Sequence, residues 1–411
     1  MKVVVTGFGS TGDIQPLIAL AAGLHRAGHS VVLVTDEGAE ATASELGLVF
    51  RVLAGSARSV VVDGTHGWAE TIASGRPSPR LFLEVGRFNT RSWIETIAAA
   101  AEDADAIVAT TMAVYHAGSV ARDRGIPLIF GQLQPTLETR DYPPPLSGLT
   151  GTPAWLNRPL SNAMSALGDL SYRSGINRVR REDGLPRLRL VWEETPILMA
   201  WSPTLLPAAS DWKHPDLTIT GSWRLPTAPG WEPPAEFAQF LDAGEPPVFV
   251  GFGSVAGFPG TEALQDAVLE GLSGRRVLLA SGWAGFGEGD LPEGVLAIGP
   301  TPYDWLFPRC AALFHHCGAG TTDQAARSGA GSVPVPFTGD QPFWAGRLHR
   351  LGVASAPLNP RKPSPDAVRA ALSVATSDPL RRRAAEVARR MAVEPDGVAT
   401  AIDAIERIAA G

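Results

Sequence analysis

The sequence has little of three features that mark particular classes of protein. Its 411 residues include two cysteines, Cys310 and Cys317, too few for a disulfide framework and in keeping with a reducing compartment. No apolar run approaches the roughly 18 residues that a membrane-spanning helix needs, and the first residues lack a secretion-signal pattern. With 35 Lys and Arg against 42 Asp and Glu, the net charge of −7 argues against nucleic-acid binding. We therefore expect a soluble cytoplasmic protein, monomeric or weakly dimeric, without stable membrane insertion.

Short apolar segments alternate with amphipathic ones along the chain. Residues 3–6 and 31–34 are short and rich in valine, and residues 14–27 between them carry apolar side chains at helical spacing. The alternation continues to a predicted strand at 197–201, which we take as the last strand of the first half. It resumes at Val248. This pattern predicts an α/β protein with doubly wound parallel sheets.

A proline-rich stretch divides the chain into two similar halves. Residues 203–247 contain many prolines and little periodicity, apart from a weak strand at 217–220. We therefore predict two Rossmann-like domains, at residues 1–205 and 248–396, joined by a linker at 206–247.

The tetrapeptide Gly-Phe-Gly-Ser occurs twice, each time directly after a predicted strand. It spans residues 7–10 and 251–254. The simplest interpretation is that it marks the first β-α turn of two similar sheets. The alternative is coincidence in a chain with 44 glycines.

The first turn also matches the dinucleotide fingerprint Gly7-x-Gly9-x-x-Gly12, and Asp36 ends the second predicted strand, where a ribose-binding acid belongs. A nicotinamide- or flavin-dependent oxidoreductase is therefore a competing reading. Against it, Asp13 lies at the helix start, where its carboxylate repels a pyrophosphate. The fingerprint also leaves the second half unexplained.

Asp13 has two compatible roles. Asp is favoured as a helix N-cap because its carboxylate accepts from free backbone amides. The same carboxylate lies at the carboxyl edge of a parallel sheet, facing the crevice where such folds bind ligands. We expect a functional role in addition to capping.

The second half contains a more specific motif, in which an apolar strand is followed by His-His-Cys and a glycine turn that opens a helix. A helix N-terminus offers free amides and partial positive charge, which suit a diphosphate. A metal site is disfavoured because adjacent strand residues point to opposite faces and no further ligand cluster joins them; His315 is expected to pack or bond locally. The candidate diphosphate ligands are Ser254, His316, Gly318, Ala319, Gly320, Thr321 and Thr322.

Asp340 and Gln341 follow the next predicted strand. A carboxylate beside an amide can bind vicinal hydroxyls, as a sugar requires. The pair lies 24 residues after His316, in the next β-α turn of the same predicted sheet. We therefore predict a sugar-binding role.

These motifs resemble a known family. The segments HHCGAGTT and PFTGDQPFWA, with PYDWLFPR before them and GSTGDIQPLIALAAGLHRAGHSV near the start, are similar to nucleotide-sugar-dependent glycosyltransferases of the family 1 type. The closest groups are bacterial antibiotic and sterol glycosyltransferases. The resemblance implies a GT-B fold, with two Rossmann-like domains across a cleft and a last helix, at 397–411, that crosses back to the first domain. Cys317 stands where many relatives have glycine.

The resemblance also implies an inverting transfer without cofactor or metal, from a UDP- or TDP-sugar to a hydroxyl of an apolar small molecule. Asp13 is then the general base, and the candidate ligands above hold the donor. The nucleobase is flanked by Pro302, Tyr303, Trp305 and Leu306. Separately from the resemblance, Ser10 and aromatic side chains from the irregular part of the first half are candidates to line the acceptor pocket. For the aromatic residues, ordinary core packing is the alternative: Trp68, Phe82, Phe88, Trp93 and Tyr142.

Two other classes of function remain open. A nucleotide-sugar epimerase with the same architecture acts without an acceptor. A non-catalytic partner of a transferase is disfavoured because Asp13 and His316 are both present. Basic runs at 178–189 and 381–390 are read as solvated helix faces or, if the acceptor is a lipid, as membrane contacts.

Overall fold

Two parallel sheets form the framework of the protein. The computed structural model describes residues 1–56, 89–190, 192–253, 260–280, 282 and 291–411. Within them, the first sheet has seven strands in the order β3-β2-β1-β4-β5-β6-β7, all paired in parallel. Its strands are β1 Lys2–Thr6, β2 Ser30–Thr35, β3 Val49–Val52, β4 Ala106–Thr110, β5 Leu128–Gln132, β6 Ile197–Met199 and β7 Leu217–Ile219.

The second sheet has five strands in the order β10-β9-β8-β11-β12, again all parallel. Parallel strands need crossover connections, and helices cover both faces of such sheets. The fold therefore matches the predicted class of two doubly wound domains. The strands are β8 Val248–Gly251, β9 Val277–Ala280, β10 Val295–Ile298, β11 Ala312–His315 and β12 Gly331–Pro334.

The described helices that follow or connect these strands are mostly amphipathic. The first, α1, ends at Arg26, and two residues later Gly28 takes a φ of +89°, which an L-residue with a side chain rarely adopts. In chain order the helices are α1 Thr11–Arg26, α2 Glu40–Glu45, α3 Thr90–Ala100, α4 Val114–Arg124, α5 Ala154–Glu182, α6 Ala235–Asp242, α7 Thr261–Gly271, α8 Tyr303–Leu306, α9 Ala319–Ser328, α10 Gln341–Leu351, α11 Pro365–Ala375, α12 Asp378–Ala392 and α13 Gly397–Ala410.

The repeated Gly-Phe-Gly sequence lies at the same place in both sheets. β1 is flanked by β2 and β4, and β8 is flanked by β9 and β11. In each sheet the strand order reverses at this strand, which is the point where such folds open a crevice for ligands. The prediction of two similar turns in two similar sheets is confirmed for the described residues, which include Gly253 but not Ser254.

The final helix belongs to the core of the first domain. Val398, Ala401 and Ile405 of α13 pack with residues of α1 and the first sheet. The approach is close, since a Cβ on Gly23 of α1 would lie 2.2 Å from Cγ1 of Val398. The chain therefore does cross back, as the resemblance implied.

The first sheet extends beyond the predicted last strand. β7 pairs with β6 in parallel, through Ile197 opposite Leu217 and Met199 opposite Ile219. Taking 197–201 as the last strand of the first half was therefore wrong, and the segment 217–219 belongs to the first sheet rather than to a linker. β7 is a three-residue edge strand with half-buried side chains, so its sequence carries little of the usual strand signal.

Candidate active site

Asp13 lies in the first turn of α1, at the carboxyl edge of the first sheet. Its Oδ2 accepts from the backbone amide of Ser10 at 2.9 Å and from the Ser10 hydroxyl at 3.0 Å. Its Oδ1 accepts from Nε2 of Gln134 at 3.3 Å. Burial raises the pKa of Asp13, and these hydrogen bonds oppose the rise. A carboxylate in such surroundings is a stronger base than one in water.

The loop before α1 is shaped around this carboxylate. A Cβ on Gly9 would lie 2.4 Å from Oδ2 of Asp13, so this position requires glycine. Gln134 was missed from the sequence. It follows β5, so its place at the same edge of the sheet as Asp13 was the available signal.

Asp340 approaches Asp13 from the second domain. It is the residue before α10, and its Oδ2 accepts from Nε1 of Trp344 at 3.0 Å. Burial, and secondarily the negative charge of Asp13, raise the pKa of Asp340 to about 7. The charge of Asp13 in the first domain thus acts on Asp340 in the second.

Gln341 also holds its own turn in place. Its Oε1 accepts from the backbone amides of Phe337 at 2.7 Å and Thr338 at 3.2 Å. The amide oxygen is thus engaged within the turn. The Nε2 group is the part of Gln341 that can donate to a sugar hydroxyl.

His316 lies between the two glycine turns of the second sheet. A Cβ on Gly253 would lie 2.8 Å from Cε1 of His316, and one on Gly318 would lie 2.7 Å from Nε2. The turns after β8 and β11 therefore converge on one imidazole. Burial lowers the pKa of His316 to about 4, although a hydrogen bond with the backbone of Gly251 opposes this. The ring is neutral at neutral pH and donates one N–H.

The N-terminus of α9 lies beside this histidine. Gly318 precedes the helix, and the first amide that bonds within it is that of Thr322, to the carbonyl of Gly318 at 2.9 Å. The amides of Ala319, Gly320 and Thr321 thus precede the helical hydrogen bonds and suit an anion. The Thr322 side chain is fully buried, so its predicted role as a donor to the ligand is wrong.

Cys317 adopts a left-handed backbone conformation, with a φ of +66°. Non-glycine residues seldom adopt this conformation. Its thiol is buried, and burial raises its pKa well above the usual range. Cys310 is buried as well, and neither cysteine forms a disulfide.

Of the four residues predicted to flank the nucleobase, one is fully buried and three are not. Leu306 is fully buried among apolar side chains, so its prediction as a base contact is wrong. Trp305 packs edge-on against Trp231 and lies under the guanidinium of Arg309, at 4.3 Å from its ring centre. Pro302 is the residue before α8, which follows β10, and Tyr303 is its first residue; the ring of Tyr303 stacks on Phe307 at 4.3 Å.

The described residues that were predicted to line the acceptor pocket lie in different parts of the structure. Ser10 contacts Asp13, as described above. Trp93 is fully buried against Phe8 and donates to the carbonyl of Ala54, so it is a core residue and the prediction that it lines a pocket is wrong. Tyr142 packs between the domains, 5.2 Å from the ring of Phe343, and has little exposed surface. Outside the described residues lie Trp68, Phe82, Phe88 and the diphosphate candidate Ser254.

Asp36, the acid that the dinucleotide reading requires, is engaged in local structure. Its Oδ1 accepts from the amide of Gly38, at the start of a short 3₁₀ turn. The amide of Ser10, which a pyrophosphate would need, is bonded to Asp13. Both observations weigh against a dinucleotide at the first turn.

The described ranges lack a metal-ligand cluster and a membrane-spanning helix. They contain no group of three or more His, Cys, Asp or Glu side chains arranged to hold a metal ion. They also contain no helix long and apolar enough to cross a bilayer. The predicted absence of a metal requirement stays a prediction.

Comparison with known protein families gives consistent matches at both ends of the chain. Residues 3–131 match the glycosyltransferase family 28 N-terminal domain, and residues 280–406 match the erythromycin biosynthesis protein CIII-like C-terminal domain. The vancomycin aglycone glucosyltransferase of Amycolatopsis orientalis is 33% identical, covering 99% of this chain and 98% of the relative. A sterol 3-beta-glucosyltransferase of Arabidopsis thaliana is 30% identical over 98% of this chain, which spans 65% of that longer relative.

Solved structures share the fold. The glycosyltransferase of kitacinnamycin superposes with a TM-score of 0.73 at 21% identity, covering 99% of this chain and 98% of its own. The calicheamicin glycosyltransferase gives 0.72 at 18% identity, with the same coverage. These comparisons give no support to an epimerase or an oxidoreductase. The chain therefore belongs to the glycosyltransferases, and its two parallel-sheet domains have the GT-B architecture of the antibiotic enzymes.

Proposed function

We propose that this chain is an inverting glycosyltransferase that moves a sugar from a UDP- or TDP-sugar to a hydroxyl of an apolar small molecule, with Asp13 as the general base and without a metal. The observation that carries the proposal is that Asp340, in a β-α turn of the second domain, lies within range of the charge of Asp13 in the first; His316 and the N-terminus of α9 form a cradle at the preceding turn of the second sheet. A proton acceptor thereby lies near a residue that can hold the sugar.

The reaction is a single displacement. Asp13 accepts the proton of the acceptor hydroxyl while the hydroxyl oxygen attacks the anomeric carbon. The bond from that carbon to the diphosphate oxygen breaks on the opposite side, which inverts the configuration. Negative charge grows on the departing diphosphate, and the amides at the start of α9 and the neutral imidazole of His316 stabilise it by hydrogen bonds.

The two carboxyl groups are suited to different protonation states. Like charges held close together do not both ionise readily, so one member of such a pair keeps its proton to a higher pH. With a pKa of about 7, Asp340 is partly protonated near neutrality. Hydrogen bonds from Ser10 and Gln134 favour the charged form of Asp13 and oppose the effect of burial. We therefore assign Asp13 as the ionised member and the base, while Asp340 donates to or accepts from sugar hydroxyls.

The names of related proteins narrow the substrates to be tested. Two solved structures of similar fold are complexes with thymidine diphosphate, and curated relatives are named for sterols, the vancomycin aglycone and O-mycaminosyltylonolide. We infer a polycyclic or macrocyclic acceptor for this chain. UDP-glucose and dTDP-glucose, each with a sterol, a glycopeptide aglycone and a macrolide aglycone, form the first panel, with products detected by mass spectrometry.

Asp13→Asn is the decisive variant. Asn caps helices about as well as Asp and keeps an oxygen that accepts from Ser10, so thermal stability and affinity for UDP or dTDP should stay near wild type. The transfer rate should fall by about 10²- to 10⁴-fold, the usual value of general-base catalysis.

The matched control is Asp36→Asn, which changes another acidic cap in the same domain. It should leave the transfer rate unchanged, whereas a dinucleotide enzyme would depend on Asp36. If Asp13→Asn transfers sugar within a few-fold of the wild-type rate, Asp13 is only a helix cap and the proposal fails.

A further inference from the structure

A cluster of buried charged side chains lies at α9, beyond the first turn of the helix. The N-terminus of the same helix, together with His316, forms the predicted anion-binding site that we call the donor cradle. Nε of Arg327 lies 2.9 Å from Oδ2 of Asp323, one turn earlier on α9, and its Nη2 lies 2.7 Å from Oε2 of Glu394. The three side chains are 15%, 6% and 8% exposed, respectively. Charges removed from water to this degree persist only when they are paired and hydrogen-bonded, so the three residues act as a unit.

Each carboxylate of the cluster also holds a segment that leaves the first sheet. The hydroxyl of Ser222, which follows β7, donates to Oδ1 of Asp323 at 2.6 Å. The hydroxyl of Ser202, which follows β6, donates to Oε1 of Glu394 at 2.6 Å. The cluster is therefore bonded to the first domain at two points, although Asp323 and Arg327 belong to a helix of the second.

The two passages of the chain between the domains meet beside this cluster. Gly221 and Ser222 lie on the outgoing segment, and Gly397 begins α13, which returns. A Cβ on Gly397 would lie 2.4 Å from the carbonyl oxygen of Ser222, and Gly221 has a φ of +91°. Since both crossings pass through one point, a change in the angle between the domains must bend the chain here.

α9 connects this point to the catalytic edge. Its N-terminus carries the amides of the donor cradle, and the helix contacts α1, which carries Asp13. Asp323 lies four residues beyond Ala319, about 6 Å along the helix axis. A displacement at Asp323 is therefore transmitted by a rigid element to the cradle.

We propose that the Ser222–Asp323–Arg327–Glu394 cluster sets the position of the donor cradle relative to Asp13. Its members are positioning residues, because they act through α9 and the interdomain crossings rather than by touching substrate. The catalytic part of this inference rests on the proposed function; the part that concerns domain geometry does not.

Ser222→Ala tests the geometry directly. It removes the hydroxyl that links the outgoing crossing to Asp323 and leaves the Asp323–Arg327 pair intact. Ser328→Ala is the matched control, because this serine also lies on α9 but its hydroxyl donates to Ala325 within the same helix. Asp323→Asn is a second variant, which keeps an acceptor for Ser222 and removes the charge that faces Arg327.

Double electron–electron resonance between two spin labels, one on each domain, measures the distance between the domains. Glu40→Cys on α2 and Asp266→Cys on α7 place the labels at exposed sites, and the native cysteines are buried. We expect a broader or shifted distance distribution in Ser222→Ala and in Asp323→Asn, no change in Ser328→Ala, and recovery in Ser222→Thr. Distributions identical to that of the unsubstituted background in both cluster variants would overturn the proposal.

Kinetic measurements distinguish a role in positioning the reacting groups from a general contribution to the stability of the fold. At a temperature well below unfolding, Ser222→Ala should lower kcat by about tenfold, since small misplacements of reacting groups are costly. The affinity for UDP and dTDP should stay at the wild-type value, because the local contacts of the cradle are unchanged. An equal loss of nucleotide affinity, or no loss of rate, would contradict positioning. If no variant or wild-type protein transfers sugar but the distances change, the proposed function fails and the geometric inference stands.

Discussion

Asp340→Asn should stabilise the protein, and by an amount that depends on pH. The carboxyl group of Asp340 has its pKa raised from 3.8 to about 7 by burial and by the charge of Asp13. Asn removes the ionisable group while keeping an oxygen that accepts from Nε1 of Trp344. The substitution is therefore close to isosteric, and its main effect is the loss of a half-buried charge.

The magnitude follows from proton linkage. Between pH 3.8 and 7 the folded chain keeps the proton of Asp340 and the unfolded chain has released it, so the free energy of unfolding falls as the pH rises. Each pH unit costs about 1.4 kcal/mol. The loss is about 2 kcal/mol at pH 5 and reaches its full value of about 4 kcal/mol near pH 7. Asp340→Asn avoids this loss, so it should be most stabilising above pH 7.

Thermal unfolding at pH 5 and pH 8 measures the effect. We expect the Tm of Asp340→Asn to exceed that of wild type by several degrees at pH 8 and by less at pH 5. Asp266→Asn, an exposed substitution in the same domain, is the control and should leave the Tm unchanged at both pH values. A lower Tm for Asp340→Asn at pH 8, or an equal shift at both pH values, would refute the linkage.

Three further expectations concern the donor site and the packing of the last helix. Chelator should leave sugar transfer intact, and a complete loss that Mg²⁺ or Mn²⁺ restores would contradict metal independence. His316→Ala should weaken UDP or dTDP binding by about ten- to a hundredfold, as for one hydrogen bond to a charged group. Titration at pH 6 and 8 should show the same loss, because a pKa of about 4 keeps the imidazole neutral at both. Gly23→Val should clash with Val398 and lower stability by about 1–3 kcal/mol, visible as a reduced Tm; an unchanged Tm would mean that α13 gives way at no cost.

Local motifs predicted the positions of the two glycine turns and of the acidic residues. Asp13 and Asp340 each follow a strand of a parallel sheet, and the carboxyl ends of such strands share one edge. Short-range pattern therefore sufficed to place them at the edge of each sheet. It could not show that the two edges approach closely enough for one carboxyl to raise the pKa of the other, since that depends on how the domains pack.

The burial of individual side chains and the contacts between distant residues could not be predicted from local sequence patterns, because both depend on tertiary packing. Leucine and tryptophan occur both in ligand pockets and in hydrophobic cores, so residue type alone could not assign Leu306 and Trp93 to one or the other. Their burial depends on packing with distant parts of the chain. The bond from Ser222 to Asp323 joins residues 101 positions apart. The weak strand predicted at 217–220 is β7, but its proline-rich surroundings placed it in the linker, because membership of a sheet depends on which strand it pairs with.

The return of α13 to the first domain has a consequence for folding during synthesis. The core around Gly23 lacks Val398, Ala401 and Ile405 until the ribosome has made the entire second domain. At about 5–20 residues per second, that interval is on the order of ten seconds or more. Throughout it, the groove on α1 that receives α13 exposes apolar surface. We therefore expect the nascent first domain to be a chaperone client, and its folding to be completed by the last residues translated rather than by the first 220.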